Sequence, residues 1–353
     1  MICCEKCFKD IEIKAIIKSK CKKGKCDVCS SRDVYIYNTD EDSTLEEMFN
    51  EILDIYYLEN ELGDDFPEDK LTILKYELHN NWNIFDVKPD KISLLIKNIC
   101  KTRYEENARF FRNSIGIKEF LDYEYLNNNS IMKTYTWDEF AEQIKIKCRF
   151  HNDYFNKKAF SEYLKYMNKT YKKGHIFYRA RISNSKGYNE INMGAPPVGM
   201  ASSGRANPMG ISYLYLASNE DTAISEIRAG ALDYVTIAKF ELLKDINVID
   251  FKKIDYLSPF LDGMNTIKFG INNFILKRIG EEISRPLGGD KRELEYLPTQ
   301  YIVDYIKSIG EWQGIEYKST LGRGYNLAIF NENLFKCVDV EVKQIGTLNY
   351  SYL

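Results

Sequence analysis

The sequence predicts an α+β protein built in three parts. A cysteine-rich, zinc-ribbon-like segment covers residues 1–40, a helical module covers 41–168 and a mixed α/β domain covers 169–353. Three observations carry that division. Six of the nine cysteines fall within the first 29 residues. Apolar residues then recur at helical spacing, and beyond the helical module short alternating runs are interleaved with glycine-bearing loops and helices.

Composition bounds what such a chain can be. Hydrophobic residues make up 44% and charged residues 29%, the balance of a soluble globular protein with room for more than one domain. The net charge of −3 offers no overall attraction for nucleic acid, so none is expected as a partner. No apolar run approaches the roughly 18 residues of a membrane span, and Cys3, Cys4, Glu5 and Lys6 interrupt any signal-peptide core. No membrane association and a cytoplasmic location are therefore the expectation. A secreted disulfide scaffold would not leave the chain after Cys29 with only Cys100, Cys148 and Cys337.

The first element is a pair of knuckles, Cys4-x-x-Cys7 and Cys26-x-x-Cys29, separated by 18 residues. That spacing suits a tetrahedral zinc ion held by four thiolates. The segment is too short for its own apolar core, so the metal would supply its folding energy. Four thiolates leave no open coordination position, which makes the expected zinc structural. Cys3 and Cys21 stand close enough in sequence to leave the ligand set open.

Charge then changes sharply, with 12 acidic residues and no Lys or Arg from Glu41 to Asp69. Within this stretch Ser43-x-x-Glu46 reads as a capping box for a helix with Leu45, Met48, Phe49, Ile52, Leu53 and Tyr56 on one side, so the acidic residues form its solvated face. Ile92, Leu95, Ile96 and Ile99 mark a second helix, and Thr136-x-x-Glu139 a second capping box. His79, His151 and His175 are read as structural.

The third part opens with Ile176 to Arg181, a strand-like run with Arg179 and Arg181 on one face. Residues 183–203 form a long loop rich in Gly, Ser and Pro. The central stretch follows. A loop bearing Gly204, Pro208 and Gly210 carries Arg205, a planar cation suited to gripping a phosphate. A strand from Ile211 to Ala217 sets Tyr213 and Tyr215 on one face, and a helix begun at Ser218 or Asn219 and stopped at Gly230 carries Glu226. Taken alone, this is an ordinary strand and capped helix, with Glu226 free to pair with Arg228. Downstream come strands at Tyr234 to Leu242 and Asn247 to Phe251. A helix with Ile267, Ile271, Phe274, Ile275 and Ile279 inward ends before Pro286. Another helix is opened by Pro298-Thr299-Gln300, and a strand from Tyr325 to Phe330 follows Ser319.

The run Gly204-Arg205-Ala206-Asn207-Pro208-Met209-Gly210, then Tyr213-Leu214-Tyr215, then Thr222-Ala223-Ile224-Ser225-Glu226-Ile227-Arg228, resembles the RES-domain family in order and in kind. Tyr178-Arg179, Leu297 to Gln300, Gly314 to Ser319 and Asn326 to Phe330 extend the resemblance over about residues 172–335. It implies an ADP-ribosyltransferase-like fold that takes NAD as substrate and cleaves the nicotinamide–ribose bond. In that reading Glu226 stabilises the cationic ribose, and Arg205 and Arg179 clamp the phosphates. Tyr215, with Tyr213 as its same-face rival, positions the nicotinamide, and Ser319 hydrogen-bonds nicotinamide or ribose. The helical part is similar to the N-terminal arrangement of HEPN/RES proteins, but no Arg stands before a His at the spacing of active HEPN ribonucleases.

The family setting implies a toxin that depletes NAD in a toxin–antitoxin or phage-defence system. An antitoxin or regulatory partner and a homo-oligomer are compatible with it. Phosphorolysis, hydrolysis and protein ADP-ribosylation stay open. The rival from another class is a zinc-ribbon binding protein with an inactive RES-like domain; the intact set Arg205, Tyr215, Glu226 and Ser319 argues against it.

Overall fold

The structure is a computed structural model that describes residues 1–285 and 292–347, so Pro286 lies outside the described residues. The chain divides into two compact units. The first comprises Met1–Tyr135, Tyr154–Ala159 and Ile254–Lys277; the second comprises Thr136–Asp153, Phe160–Lys253 and the chain from Arg278 onward.

In the first unit, β1 (Ile2–Cys4), β2 (Lys23–Gly24) and β3 (Val34–Asn38) form an antiparallel sheet in the order β1-β3-β2. Pairing both short strands with β3 brings the two cysteine knuckles together. The helix Ile11–Ser19 between them is capped by Asp10, whose carboxylate accepts from the backbone N–H groups of Glu12 and Ile13, both at 3.0 Å. Phe8 is fully buried and packs against Phe85 with ring centroids 5.1 Å apart.

The helix Thr44–Leu53 buries Leu45, Phe49, Ile52 and Leu53 as its spacing predicts, but Met48 is only half-buried and Tyr56 lies beyond the helix end, in a strand. Its capping box does not form. Ser43 is itself in the helical region, and its hydroxyl donates to Glu47 at 2.9 Å. Asp42 takes the Thr44 N–H instead, and Glu46 accepts from the backbone of Thr102. The Thr136–Glu139 box does form, at the head of the helix Trp137–Glu142. A second small sheet of β4 (Tyr56–Leu58), β5 (Thr72–Ile73) and β6 (Ser114–Ile117), in the order β4-β6-β5, was not predicted. Strands of two to four residues leave almost no alternation to read. Phe274, expected to face inward, is 71% exposed, while Phe269 and Leu276 of the same helix, Thr266–Ser284, are fully buried.

The second unit is built on an eight-stranded mixed sheet. Its strands are β7 (Asn168–Tyr171), β8 (Ile176–Ser183), β9 (Leu214–Ala217), β10 (Tyr234–Leu242), β11 (Ile246–Asp250), β12 (Gly314–Lys318), β13 (Tyr325–Ile329) and β14 (Phe335–Gln344). They run in the order β14-β10-β8-β9-β13-β12-β11-β7, with only the β11–β12 pair parallel. Side chains alternate across β12. Glu316 points to one face, fully buried among Lys169, Lys252 and the Tyr171 hydroxyl, which sends Tyr317 and Ser319 to the other.

Local boundaries differ from the sequence reading in three places. β9 starts at Leu214 rather than Ile211, because Asn207 donates to the Ile211 carbonyl and Ser212 to that of Pro196, holding 211–213 in the loop. The next helix, Glu220–Glu226, is capped by Asn219 and stops short of Gly230, since Arg228 sits in the left-handed region at φ 52°. Pro298 lies inside the helix Arg292–Ile309 rather than at its start. No helix among the described residues is long and apolar enough to cross a membrane.

Candidate active site

Glu226 closes the helix Glu220–Glu226, and close packing fixes that helix to the sheet. Thr222 and Ala223 are buried beneath it. The turn after β12 comes so near that a Cβ at Gly322 would lie 2.9 Å from Thr222 Cα. The same turn supplies a partner for the carboxylate. Ser319 Oγ donates to Glu226 Oε1 at 2.6 Å and accepts from the Gly322 N–H at 2.9 Å. Asn326 Nδ2 donates to the same oxygen at 2.7 Å.

Across the site, the loop that carries Arg205 is held from several sides. Tyr215 Oη donates to Asn207 Oδ1 at 2.6 Å and accepts from the Ala206 N–H at 3.2 Å. Asn207 Nδ2 donates to the carbonyls of Ser202, Pro208 and Ile211. Gln300, almost fully buried, donates to Ser203 Oγ and to the carbonyls of Gly204 and Asn207, while Thr299 donates to the Arg205 carbonyl. Gly204 is required by this closeness: a Cβ there would overlap Asn207 Oδ1 and stand 2.8 Å from Tyr215 Oη. Gly204→Ala is accordingly expected to cost about 1–3 kcal/mol in an equilibrium unfolding experiment, because one of the two hydrogen-bonding partners must be pushed off its rotamer.

Two guanidinium groups border the resulting cavity, which has a volume of about 310 Å³. Arg205 stacks over the Tyr317 ring at 5.3 Å and donates to the Arg285 carbonyl at 2.9 Å. Arg179 donates to the Tyr215 carbonyl at 2.9 Å. The Nε of each is buried without a hydrogen-bond partner, while a guanidinium has five N–H donors in all. Burial, and next the neighbouring Arg181, bring the Arg179 guanidinium down to about 10, which leaves it cationic at neutral pH. Burial likewise pushes the Tyr317 phenol up to about 12 and the Tyr215 phenol higher still, so both are neutral hydrogen-bonding groups.

Arg179, Arg205, Tyr215 and Glu226 all line the cavity, together with Tyr317 and Asn326. Ser319 lies behind Glu226 rather than on the cavity wall, with its hydroxyl committed to the carboxylate. Tyr213 is buried away from the cavity, against the Phe330 ring at 5.0 Å and beneath Lys307. Asn326 and Gln300 also belong to the site; each stands in a segment that resembles the RES family, but a lone amide carries no spacing rule that marks it in a sequence.

The cysteine cluster belongs to the first unit. The Sγ atoms of Cys4, Cys7, Cys26 and Cys29 all lie within 4.8 Å of one another, with contacts of 3.9, 3.5 and 3.6 Å. A tetrahedron of sulfurs about 2.3 Å from zinc has edges of about 3.8 Å, so the cluster has the size of a zinc site. Backbone N–H groups of Val28 and Cys29 point at the Cys26 sulfur, the polar support a thiolate needs. Cys3 and Cys21 are outside this group.

The mixed sheet thus presents an arginine loop, a tyrosine strand and a glutamate helix around one cavity. The family model of the RES domain matches residues 176–351, and the chain belongs to the RES-domain family through this C-terminal half. Among solved structures, a chain in the crystal structure of the M.tuberculosis MbcT-MbcA toxin-antitoxin complex aligns at 10% identity and a TM-score of 0.30, covering 52% of this chain and 91% of that one. No curated protein matches the chain.

Proposed function

We propose that the RES domain consumes NAD by breaking the bond between nicotinamide and ribose. The observation that carries this reading is the Glu226 carboxylate, anchored through one oxygen and lining one small cavity with two arginines. Departure of nicotinamide takes the bonding electron pair, leaves neutral nicotinamide and puts positive charge on the ribose. A fixed carboxylate beside that carbon stabilises the charge as it develops. Arg179 and Arg205 supply the cations for a dinucleotide's phosphates. The cavity, at about 310 Å³, is at the lower end of ligand sites of roughly 300–1,000 Å³ and suits one end of a dinucleotide.

The new bond at the ribose carbon goes to an acceptor oxygen, whose proton is released. Water yields ADP-ribose, phosphate yields its 1-phosphate, and a protein side chain yields a modified protein. We favour a small acceptor, and with it a toxin that drains NAD in a toxin–antitoxin or phage-defence setting, held in check by an antitoxin or regulatory partner. Structural zinc at Cys4, Cys7, Cys26 and Cys29 and a cytoplasmic location complete the proposal.

The test is incubation of the purified full chain with NAD labelled in the adenosine half, with and without phosphate. Stoichiometric free nicotinamide with label in a small product is expected. Label retained on protein would favour ADP-ribosyl transfer instead. Intact NAD after prolonged incubation with folded, zinc-loaded protein would favour the binding-protein alternative.

A further inference from the structure

The two oxygens of Glu226 are not equivalent. Oε1 accepts from Ser319 Oγ at 2.6 Å and from Asn326 Nδ2 at 2.7 Å, whereas no described residue hydrogen-bonds Oε2. Oε2 is not among the buried polar atoms lacking a partner, and Glu226 lines the cavity, so this oxygen remains accessible there. We infer that Asn326 is a positioning residue that aims Glu226, so that Oε1 is the anchored atom and Oε2 the atom offered to substrate. The inference rests on the NAD-cleaving reading for its kinetic consequence and on geometry alone for the contact.

Asn326 is suited to that task by its place in the sheet. It sits on β13, opposite Ala217 of β9 and Tyr317 of β12, and is 4% exposed. A planar amide held between two neighbouring strands offers one fixed donor direction. Ser319 offers a rotatable hydroxyl at the end of β12, with the Gly322 N–H occupying its lone pair and turning the proton toward Glu226. The two donors fix the carboxylate plane; the amide alone fixes it without help from a turn. Hydrogen bonds to an ionised group are the strong ones, which makes loss of this one visible in the rate.

The experiment compares Asn326→Asp and Asn326→Ala with the native chain. Asn326→Asp keeps the size and shape that packing needs but sets an acceptor against Oε1. Both variants are expected to lower kcat for nicotinamide release by about 10- to 100-fold, with Asn326→Asp at least as low, while KM for NAD moves less than about threefold. A risen KM with kcat intact would make Asn326 a substrate contact and overturn the inference, as would native kcat in Asn326→Asp. A second readout needs no turnover. In the native chain one Asn326 side-chain amide proton is expected to exchange slowly, and this protection should vanish in Glu226→Ala. An amide indifferent to Glu226→Ala would overturn the contact whether or not the variants fold, whereas a native chain silent toward NAD overturns the proposed function and leaves the amide readout to decide the geometry.

Discussion

Glu226→Gln is expected to cut nicotinamide release by roughly 100- to 1,000-fold, the cost of losing one preorganised electrostatic group at a developing charge. The direction follows from the local hydrogen bonds. Ser319 and Asn326 both donate toward the Oε1 position, so the oxygen of the substituted amide is drawn there. The amide nitrogen then occupies the open position and presents positive hydrogens to a ribose that is itself becoming positive. In the proposed function Arg179 and Arg205, which line the same cavity, hold the phosphates, so KM for NAD should change far less than kcat. Steady-state kinetics on the two proteins decides it, and equal kcat values would remove Glu226 from the chemistry.

The second large effect concerns the cysteine cluster. The native chain is expected to bind one zinc ion, and chelation or Cys7→Ser should release it and unfold the segment around β1, β2 and β3. Those strands have only three, two and five residues, too few to stand alone. Structural zinc contributes apparent binding energies of about 10–16 kcal/mol in small domains, which is folding energy here. Metal analysis and limited proteolysis within residues 1–40 provide the readout. Cys21→Ser is the control, being exposed and outside the cluster, and should keep its zinc. Zinc retained by Cys7→Ser would mean that the four sulfurs are not the ligand set. Nicotinamide release is expected to persist after metal loss, since the cavity residues all belong to the other unit.

What the sequence disclosed follows from the range of the interactions involved. The four cysteines were legible because a metal site imposes a local spacing on each knuckle, and the structure gathers those four sulfurs. The α+β class was legible from periodicity, which is also local. The order of the eight strands was not, because β8 pairs with β9 and β10, and β9 with β13, across long stretches of chain. Cap details divided the same way: Thr136 and Glu139 satisfy each other, whereas Ser43 loses its place to Asp42 and Glu46 is claimed by Thr102. In the candidate site, residue types could be read, but the partners that fix them could not. Nothing local says that the Tyr215 hydroxyl is spent on Asn207, or that Asn326 reaches a carboxylate 100 positions earlier.

The parallel β11–β12 pair has a consequence for how this protein can be divided. Parallel neighbours need a long connection, and here the excursion takes residues 254–277 into the first unit before the chain returns. Within that unit Phe260 packs edge-on to Phe49, Phe269 packs on Trp82, and a Cβ at Gly270 would lie 2.8 Å from Ile55 Cδ1 and 3.0 Å from Ile117 Cδ1. Neither half of the protein is thus encoded by one uninterrupted stretch. A single cut, by a protease or by recombination between genes, leaves one part without a portion of its core and the other trailing an apolar strip it cannot bury. The enzyme-like half is therefore not a contiguous cassette that a single cut could release.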